Sequence, residues 1–586
     1  MENKENGDVL DPKQYQVKYA GWKAMPYVIG NESFEKLGTI GTLSNLLVYL
    51  TTIYHFKSVS AALIINVFSG TTNLAPVLGA FICDTYLGRF IILGIASIAS
   101  LIGMTILTLT AGIKNFHPRQ CTQGQPCESA VLSQLAILFS GFAFLVIGAG
   151  GIRPCNLAFG ADQFDPKTES GKRGINSFFN WYYFTFTIAV MISSTVIIYI
   201  QSEISWTLGL AIPAVLMFTS VCFFFMGSKI YVKVRPEGSP FTSVAQVLVA
   251  SFKKRKLVAP FDPSSSLFNP PHKSVLNSKL PHSDQFRFLD KAAIITPTDE
   301  IKSDGTSSNP WKLCTLQQVE EVKCIARIIP VWSTGIIYYT AVVQQTTYVV
   351  YQAMQSDRHF FGKSFEIPAA SFSVFTMFAV TIWIPIYDRL IIPLFRRITG
   401  QEGGITLLQR MGVGLILGIT AMLVSGLVEQ MRRSHTNSDH ALPRTSNGYI
   451  ISSMSSFWLI PQLVILGLSE AFNAIGQIEF YYKQFPENMR SVAGSLFFLS
   501  MALSNYLSGF IVLMVHRMTG KGNGENWLSG DLNRGKLDYF YFLIAILGVV
   551  NFMVFIVCAK WYRYKGFEDV QSEVELKDEK DHGSVV

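Results

Sequence analysis

The feature that most constrains this chain is its series of long apolar segments. Windows of about 20 mostly apolar residues, the length a helix needs to cross a bilayer, recur about twelve times. Only 15% of the 586 residues are charged, against about 25% in soluble domains. Because the runs are continuous rather than alternating, they predict transmembrane helices and not a β-barrel. The predicted spans are 26–56, 61–83, 90–113, 130–160, 178–200, 205–226, 324–350, 367–387, 404–429, 453–480, 491–515 and 538–560.

Polar segments divide the spans into two sets of six. Such a division is typical of transporters that bind substrate between two pseudo-repeated bundles near the middle of the membrane. The predicted parts are an N-terminal tail at 1–25, a six-helix bundle at 26–227, a linker at 228–320, a second six-helix bundle at 321–562 and an acidic tail at 563–586.

The linker indicates how the chain is oriented. Between 228 and 319 it carries 13 Lys and Arg against 7 Asp and Glu, an excess typical of cytoplasmic segments. With an even number of spans, both termini are then cytoplasmic too. A short amphipathic helix is predicted near 240–256, ending in the basic run from Lys253 to Lys256. We interpret this run mainly as solvated charge, with contact to anionic lipid as the alternative.

The remaining composition excludes some classes of function. The net charge of +8 is explained by basic tails and connections, so nucleic-acid binding is not predicted. Six of the eight Cys lie in or beside apolar helices and are expected to pack as small hydrophobes. Cys121 and Cys127 flank a polar loop predicted to be external, where a disulfide is chemically allowed and free thiols are the equal alternative. No metal-binding spacing accompanies them.

Ionisable residues inside apolar helices are costly and are therefore candidate functional residues. In the first span, Glu32, Glu35 and Lys36 share one helical face because they are three and four residues apart. Two carboxylates beside one ammonium form a site whose protonation is easily changed, which favours a role in proton coupling. The alternative is a charged helix start that reaches the membrane interface.

Arg153, late in the fourth span, is the second candidate. A guanidinium stays charged in proteins and needs a partner, and Glu32 or Glu35 is the expected one. The alternative is a cation at a helix end that faces the cytoplasm.

Polar stripes on otherwise apolar helices predict a wet cavity. Interhelical hydrogen bonding is the structural alternative for each stripe. The stripes are Glu470, Asn473 and Gln477 in the tenth span, Asn66 and Asn73 in the second, and Gln344 and Tyr348 in the seventh.

Charged pairs follow corresponding helices in the two halves. Asp84 and Arg89 follow the second span, and Asp388 and Arg389 follow the eighth. By contrast, Gly362-Lys363-Ser364 lacks the earlier glycine that a phosphate-binding loop needs, so transport driven by ATP is not predicted. No sequence motif of a nucleophile or a catalytic metal occurs in a suitable context, so neither an enzyme nor a cofactor is expected.

Several motifs together resemble the nitrate/peptide transporter family of plants, within the proton-coupled oligopeptide transporters of the major facilitator superfamily. The resemblance runs from about residue 21 to 565. Its motifs are Glu32-x-x-Glu35-Lys36, Gly79-Ala-x-x-x-Asp84 to Arg89, Gly160-Ala-Asp162-Gln163-Phe164, Phe179-Asn180-Trp181, Trp311-x-Leu-Cys-Thr, Tyr387-Asp388-Arg389 and Leu408-Gln409-Arg410. The resemblance implies the major facilitator fold, alternating access and uptake driven by the proton gradient.

By resemblance, the cluster from Glu32 to Lys36 couples the proton, Arg153 is the basic residue of helix four, and Glu470 is the acidic gating residue of helix ten. Stretches such as Gln-Phe-Arg-Phe-Leu-Asp-Lys are similar to the subgroup that contains glucosinolate transporters. A nitrate-carrying relative has a His where Val342 stands and a phosphorylated Thr where Ile92 stands.

These observations predict a proton-coupled importer of an anionic or glycosylated organic solute, glucosinolate-like in chemistry, at the plasma membrane. A small-molecule substrate, protons and the lipid bilayer are its expected partners. Low-affinity nitrate transport is the alternative within the same class. A transporter-derived receptor and a polytopic membrane enzyme are the alternatives from other classes. The sequence does not predict an oligomeric state.

Overall fold

The computed structural model describes residues 19–562, except 120–128, 166–167, 234–239, 259–266, 271–279, 298, 303–304, 360–364, 401–403, 437–448, 486–489 and 521–525. The predicted loop with Cys121 and Cys127 and the acidic tail at 563–586 therefore lie outside the described residues.

The described chain is mostly helical. Its helices in the first half are α1 Met25–Leu43, α2 Leu46–Thr52, α3 Ser58–Ile82, α4 Arg89–Gly112, α5 Leu132–Ala161, α6 Glu169–Ile192 and α7 Trp206–Met226. The linker contributes α8 Pro240–Lys253. The second half contains α9 Leu316–Met354, α10 Val374–Ile386, α11 Ile392–Thr399, α12 Leu407–Ser434, α13 Ile460–Gln484, α14 Arg490–Thr519 and α15 Leu537–Trp561. Two short parallel strands, β1 Ser356–Asp357 and β2 Ser452–Ser455, pair beside the second half.

The prediction of a twelve-helix membrane protein is confirmed. Eleven helical segments in the described part of the chain are long and apolar enough to cross a bilayer. The twelfth span is the α1–α2 segment, in which the charged residues Glu32, Glu35 and Lys36 lower the mean hydropathy. This segment bends at Ser44 and Asn45, between the two helices. Helices α10 and α11 form one span, joined by the helical turn Tyr387–Ile391.

The linker is folded against the second bundle. Its helix α8 occupies the region where an amphipathic helix is predicted and packs Val247 and Ala250 against Leu289 and Val319. Deeper, the fully buried ammonium of Lys323 in α9 lies 2.6 Å from the linker carboxylate of Asp290 and 2.8 Å from Glu320. A buried charge is tolerated only when it is paired in this way, so this contact fixes the linker to the start of α9.

A second ion pair joins two segments in the outer part of the linker. The Lys254 ammonium lies 2.9 Å from the Asp299 carboxylate. Burial raises the pKa of this carboxyl, but hydrogen bonds from Lys254 and Thr296 outweigh burial, so the pKa of Asp299 lies below its usual value. The charged form of Asp299 is therefore part of the folded linker.

The two bundles are joined away from the linker. We call the end of the bundles that carries the linker the linker end, and the opposite end the far end. Among the described residues, the hydrogen bonds between bundles lie between the middle and the far end. They join Tyr351 to the Ser58 carbonyl at 2.9 Å, Thr71 to Tyr506 at 2.9 Å, and Ser508 to Asn66 at 3.3 Å. The bundles are thus closed against each other at the far end.

Candidate functional site

A cavity of about 410 Å³ lies in the first bundle and is closed on one side by α14. Its volume falls within the range of about 300–1,000 Å³ that is common for small-molecule sites. The residues that line it are Glu35, Lys36, Thr39, Ile40, Thr42, Leu43, Phe68, Thr72, Ser100, Met104, Leu145, Ala149, Ile152, Arg153, Tyr182, Phe186, Phe497 and Phe498.

The charged residues of α1 lie together, as their helical spacing predicts, and two of them, Glu35 and Lys36, line this cavity. The Lys36 ammonium lies 2.9 Å from the Glu35 carboxylate and 3.5 Å from the Glu32 carboxylate. Both carboxylates are buried, with exposed fractions of 2% for Glu32 and 3% for Glu35. The cluster therefore lies inside the protein and not at a solvated helix start.

The two carboxylates differ in how many hydrogen bonds and close ion pairs they make. Glu35 accepts a hydrogen bond of 2.8 Å from Thr39 in addition to its close contact with Lys36. Neither oxygen of Glu32 accepts a hydrogen bond of normal geometry among the described residues, although the Tyr182 hydroxyl lies near it. A buried charge with few partners is unfavourable, so Glu32 is the carboxylate of this pair that gains more from taking up a proton.

Arg153 also lines the cavity, where its hydrogen-bond partner is Asn73 and not Glu32 or Glu35. Its guanidinium donates a hydrogen bond of 2.6 Å to the amide oxygen of Asn73, and it forms no ion pair to a carboxylate among the described residues. Lys36 lies on the same helix as both glutamates and makes the ion pairs with them, so Arg153 has a neutral hydrogen-bond partner and interacts with Glu35 electrostatically, without a direct contact. The Phe498 ring, 5.9 Å away, supplies a further weak contact.

Most of the predicted polar stripes do not reach this cavity. Gln344 donates to the Ser508 carbonyl at 3.1 Å, and Tyr348 is 3% exposed and packs on Phe540. Asn66 contacts Ser508 across the closed far end. In this structure these side chains make contacts between helices, which is the structural alternative for the stripes. A role for them in substrate binding stays a prediction.

The stripe of the tenth span divides in a similar way. Asn473 and Gln477 are each 1% exposed and lie against glycines of neighbouring helices, Asn473 against Gly414 and Gln477 against Gly335. Glu470 is partly exposed and interacts electrostatically with the phenols of helix α9, outside the residues that line the cavity. The first and tenth spans therefore do not meet at one site in this conformation.

The charged pairs that follow helices are described only in part. Arg89 binds the carboxylate of Asp162, which fixes the start of α4 to the end of α5. Arg389 is exposed at the linker end of its span. The side chains of Asp84 and Asp388 lie outside the described part of the chain. A gating role for these four residues stays a prediction.

Sequence reasoning missed the aromatic wall of the cavity. Phe68, Phe186, Phe497 and Phe498 line it together with Tyr182. Transmembrane helices are rich in apolar residues on every face, so periodicity does not separate a phenylalanine that lines a cavity from one that faces lipid. The hydroxyl groups of Thr39, Thr72 and Ser100 were missed for the same reason, since a lone hydroxyl is common in such helices.

One group of residues has the chemistry of a metal site without the room for a metal. His282, Asp290 and Glu320 bring their ligand atoms within 4.8 Å of one another in the linker. The Lys323 ammonium already contacts both carboxylates, at 2.6 and 2.8 Å. A cation would have to displace this lysine, so we interpret the group as a structural ion-pair network.

Comparison with known proteins gives a consistent result. The sequence model of the POT family (PTR2) matches residues 90–528. Protein NRT1/PTR FAMILY 2.11 of Arabidopsis thaliana is 53% identical over 567 residues, covering 96% of this chain and 92% of that protein. Protein NRT1/PTR FAMILY 2.9 of the same plant is 51% identical and covers 95% of each chain. Protein NRT1/PTR FAMILY 3.1 is 44% identical and covers 93% of this chain and 91% of its own length.

Solved structures share the fold at low sequence identity. An auto-inhibited POT family peptide transporter matches with a TM-score of 0.68 and 19% identity, covering 92% of this chain and 97% of its own. A POT family transporter in complex with 5-aminolevulinic acid matches with a TM-score of 0.60 and 15% identity, covering 93% and 98% of the two chains. These likenesses support the two-bundle architecture alone.

Proposed function

The chain belongs to the POT family of transporters, and from this premise we propose that it is a proton-coupled importer of an anionic or glycosylated organic solute. We further propose that the solute is glucosinolate-like in chemistry, a sugar-bearing molecule with an anionic group. The proposed location is the plasma membrane, with both termini and the linker on the cytoplasmic side.

One observation carries the proposal of an anionic solute. Arg153 faces the cavity, and its only described hydrogen-bond partner is the neutral amide of Asn73. A guanidinium in a low-dielectric site gains most from an anion with two or three oxygens, because its planar donors form paired hydrogen bonds with carboxylate or sulfate. We therefore assign the anionic group of the solute to Arg153.

The rest of the cavity suits a molecule larger than a simple inorganic anion. Phenylalanine rings at positions 68, 186, 497 and 498 offer apolar contact area. The hydroxyls of Thr39, Thr72 and Ser100 line the same space and can bind sugar hydroxyls. A nitrate ion would fill a small part of about 410 Å³ and would leave these surfaces unused.

We propose that Glu32 carries the coupled proton and that Glu35 stays paired with Lys36. Protonation of Glu32 removes a poorly compensated buried charge, while Glu35 keeps its contacts with Lys36 and Thr39. The neutral Glu32 would also leave Lys36 with a single carboxylate partner, which makes the cavity more attractive to an anion. Loading of the proton and of the anionic solute would thus favour each other. Glu470 is proposed to gate the substrate from the second bundle.

Uptake by the purified chain in proteoliposomes tests the proton step. With an inward proton gradient, the wild-type chain should accumulate a glucosinolate such as sinigrin, and Glu32→Gln should retain exchange of solute but lose accumulation. Glu35→Gln should damage the site more broadly and lower exchange as well. Accumulation by Glu32→Gln that equals the wild type would refute the assignment of the proton to Glu32. Accumulation by wild type without a proton gradient would refute proton coupling itself.

Substitutions of Arg153 test the anion site. Arg153→Gln should lower uptake of the anionic glycoside much more than uptake of its neutral desulfo analogue, and Arg153→Lys should recover part of the difference. The loss should amount to about 10-fold or more, because a charge-assisted hydrogen bond contributes about 1.5–3 kcal/mol. Equal losses for the charged and neutral solutes would contradict the assignment.

Nitrate transport is the second candidate, since several relatives carry the name of the nitrate/peptide family. Paired uptake at one acidic pH decides between the two candidates. We expect glycoside uptake to exceed nitrate uptake, and Val342→His, which adds a donor in α9, to raise nitrate flux if it has any effect. Strong nitrate currents with no uptake of any glucosinolate or other glycoside would overturn the proposal.

A further inference from the structure

Helices α3 and α5 form a close seam near the linker end. Both helices run from the far end toward the linker end. They are therefore parallel, and an equal number of residues covers the same distance along each. A Cβ atom placed on Gly79 would lie only 1.8 Å from the carbonyl oxygen of Gly150. Pro154 explains why that carbonyl projects toward α3, because proline has no N–H to bond the carbonyl four residues earlier.

Two cysteines meet about one turn further along this seam. Cys83 is four residues beyond Gly79, and Cys155 is five residues beyond Gly150. At a rise of about 1.5 Å per residue, the two cysteines therefore lie within about 1.5 Å of the same position along the helix axes. The Sγ atoms are 3.2 Å apart, and the two residues are 2% and 1% exposed. A disulfide has an S–S distance of about 2.0 Å, so bond formation needs an approach of little more than about 1 Å.

We propose that Cys83 and Cys155 are a redox-modification site, at which a peroxide oxidises the two thiols to a disulfide that joins α3 to α5. One sulfur attacks a peroxide oxygen to give a sulfenic acid and water, and the second thiol then displaces the sulfenic oxygen as a second water. In balance, two thiols and one hydrogen peroxide give one disulfide and two waters, with both electrons passing from sulfur to oxygen.

The position of the pair gives the modification a structural consequence. Cys155 lies two residues after Arg153, and Arg153 binds Asn73 of α3, the helix that ends at Ile82 directly before Cys83. A covalent bond here would fix the spacing of the two helices that hold the guanidinium in the cavity. Tyr86, three residues after Cys83, is 67% exposed, so the cysteine pair lies close to the surface at the linker end.

The test uses the full chain, purified under reducing conditions and held in nanodiscs. After treatment with hydrogen peroxide, remaining thiols are blocked, the chain is digested without reduction, and peptides are identified by mass spectrometry. We expect a linked peptide that joins Cys83 to Cys155, absent after treatment with dithiothreitol. Cys83→Ser and Cys155→Ser should each remove it, and Cys222→Ser, a cysteine on α7, should not.

A second measurement keeps the proposal testable if a serine variant fails to fold. A trivalent phenylarsenical binds two neighbouring thiols at once, so it should protect Cys83 and Cys155 of the wild-type chain from later alkylation and leave Cys222 reactive. Absence of the linked peptide in oxidised wild-type chain, or alkylation of Cys83 and Cys155 unaffected by the arsenical, would each overturn the proposal.

Discussion

Glutamine in place of Glu429 should destabilise the second bundle strongly. Glu429 and Arg432 lie at the far end of α12, and both are fully buried. Two nitrogens of the guanidinium bond the carboxylate at 2.7 and 2.9 Å, and a third nitrogen bonds Asn533 at 2.8 Å. Gln352 donates to the same carboxylate at 2.9 Å. Every strong partner of this guanidinium is therefore inside the protein.

The size of the expected loss in unfolding free energy follows from the burial of this ion pair. Removing one member of a buried ion pair leaves an uncompensated charge and costs about 3–5 kcal/mol. At about 1.4 kcal/mol for each factor of ten, the ratio of folded to unfolded chains should fall by roughly two to three and a half orders of magnitude. The double variant Glu429→Gln/Arg432→Met removes both charges and should recover at least about half of this loss, as expected for a buried pair replaced as a unit.

Lys483 provides the control. It pairs with Glu479 at 2.7 Å at the end of α13, and the two side chains are 59% and 36% exposed. Lys483→Gln should cost no more than about 1 kcal/mol, because water replaces the lost partner. The measurement is a denaturant titration of each purified variant in mixed micelles. Equal losses for Glu429→Gln and Lys483→Gln, or a double variant less stable than Glu429→Gln, would refute the reasoning.

Three further results are expected. Gly79→Ala should force α3 away from the backbone of α5 and lower the melting temperature, while Gly509→Ala, whose Cβ atom would meet its nearest neighbour at 3.4 Å, should change it little. Asp299→Asn should expose the linker to protease at pH 7; because the folded pKa of Asp299 is lowered, the difference from wild type should shrink as the pH falls below about 4. If the external loop is oxidised, an impermeant maleimide should label Cys121 and Cys127 only after reduction, and labelling of intact cells without reductant would contradict the disulfide.

Local geometry explains why part of the site could be predicted. The positions of Glu32, Glu35 and Lys36 follow from their spacing on one helix, and α1 brings them together without help from the rest of the fold. The helices themselves were equally predictable, because a lipid environment leaves an apolar segment no other way to satisfy its backbone.

Contacts between helices could not be predicted in the same way. A stripe indicates the face that is buried but not the neighbour that covers it, so Gln344 was expected in a cavity and instead bonds the backbone of α14. The partner of Arg153 was missed for the same reason, since Asn73 lies 80 residues earlier in the chain. The aromatic wall at Phe497 and Phe498 depends on how the second bundle closes over the first.

The buried charges separate into two kinds by how completely they are paired. Arg432 and Lys323 have several close protein partners, and such saturated groups hold the far end of α12 and the linker in place. In the first bundle, Glu32 is buried and Arg153 is partly buried, and both have few partners and lie at or beside the cavity. An incompletely paired charge is costly until a ligand or proton completes it, which is the property that a coupled transporter requires of its working residues. This difference, rather than burial alone, distinguishes the residues that we assign to transport from those that hold the helices together.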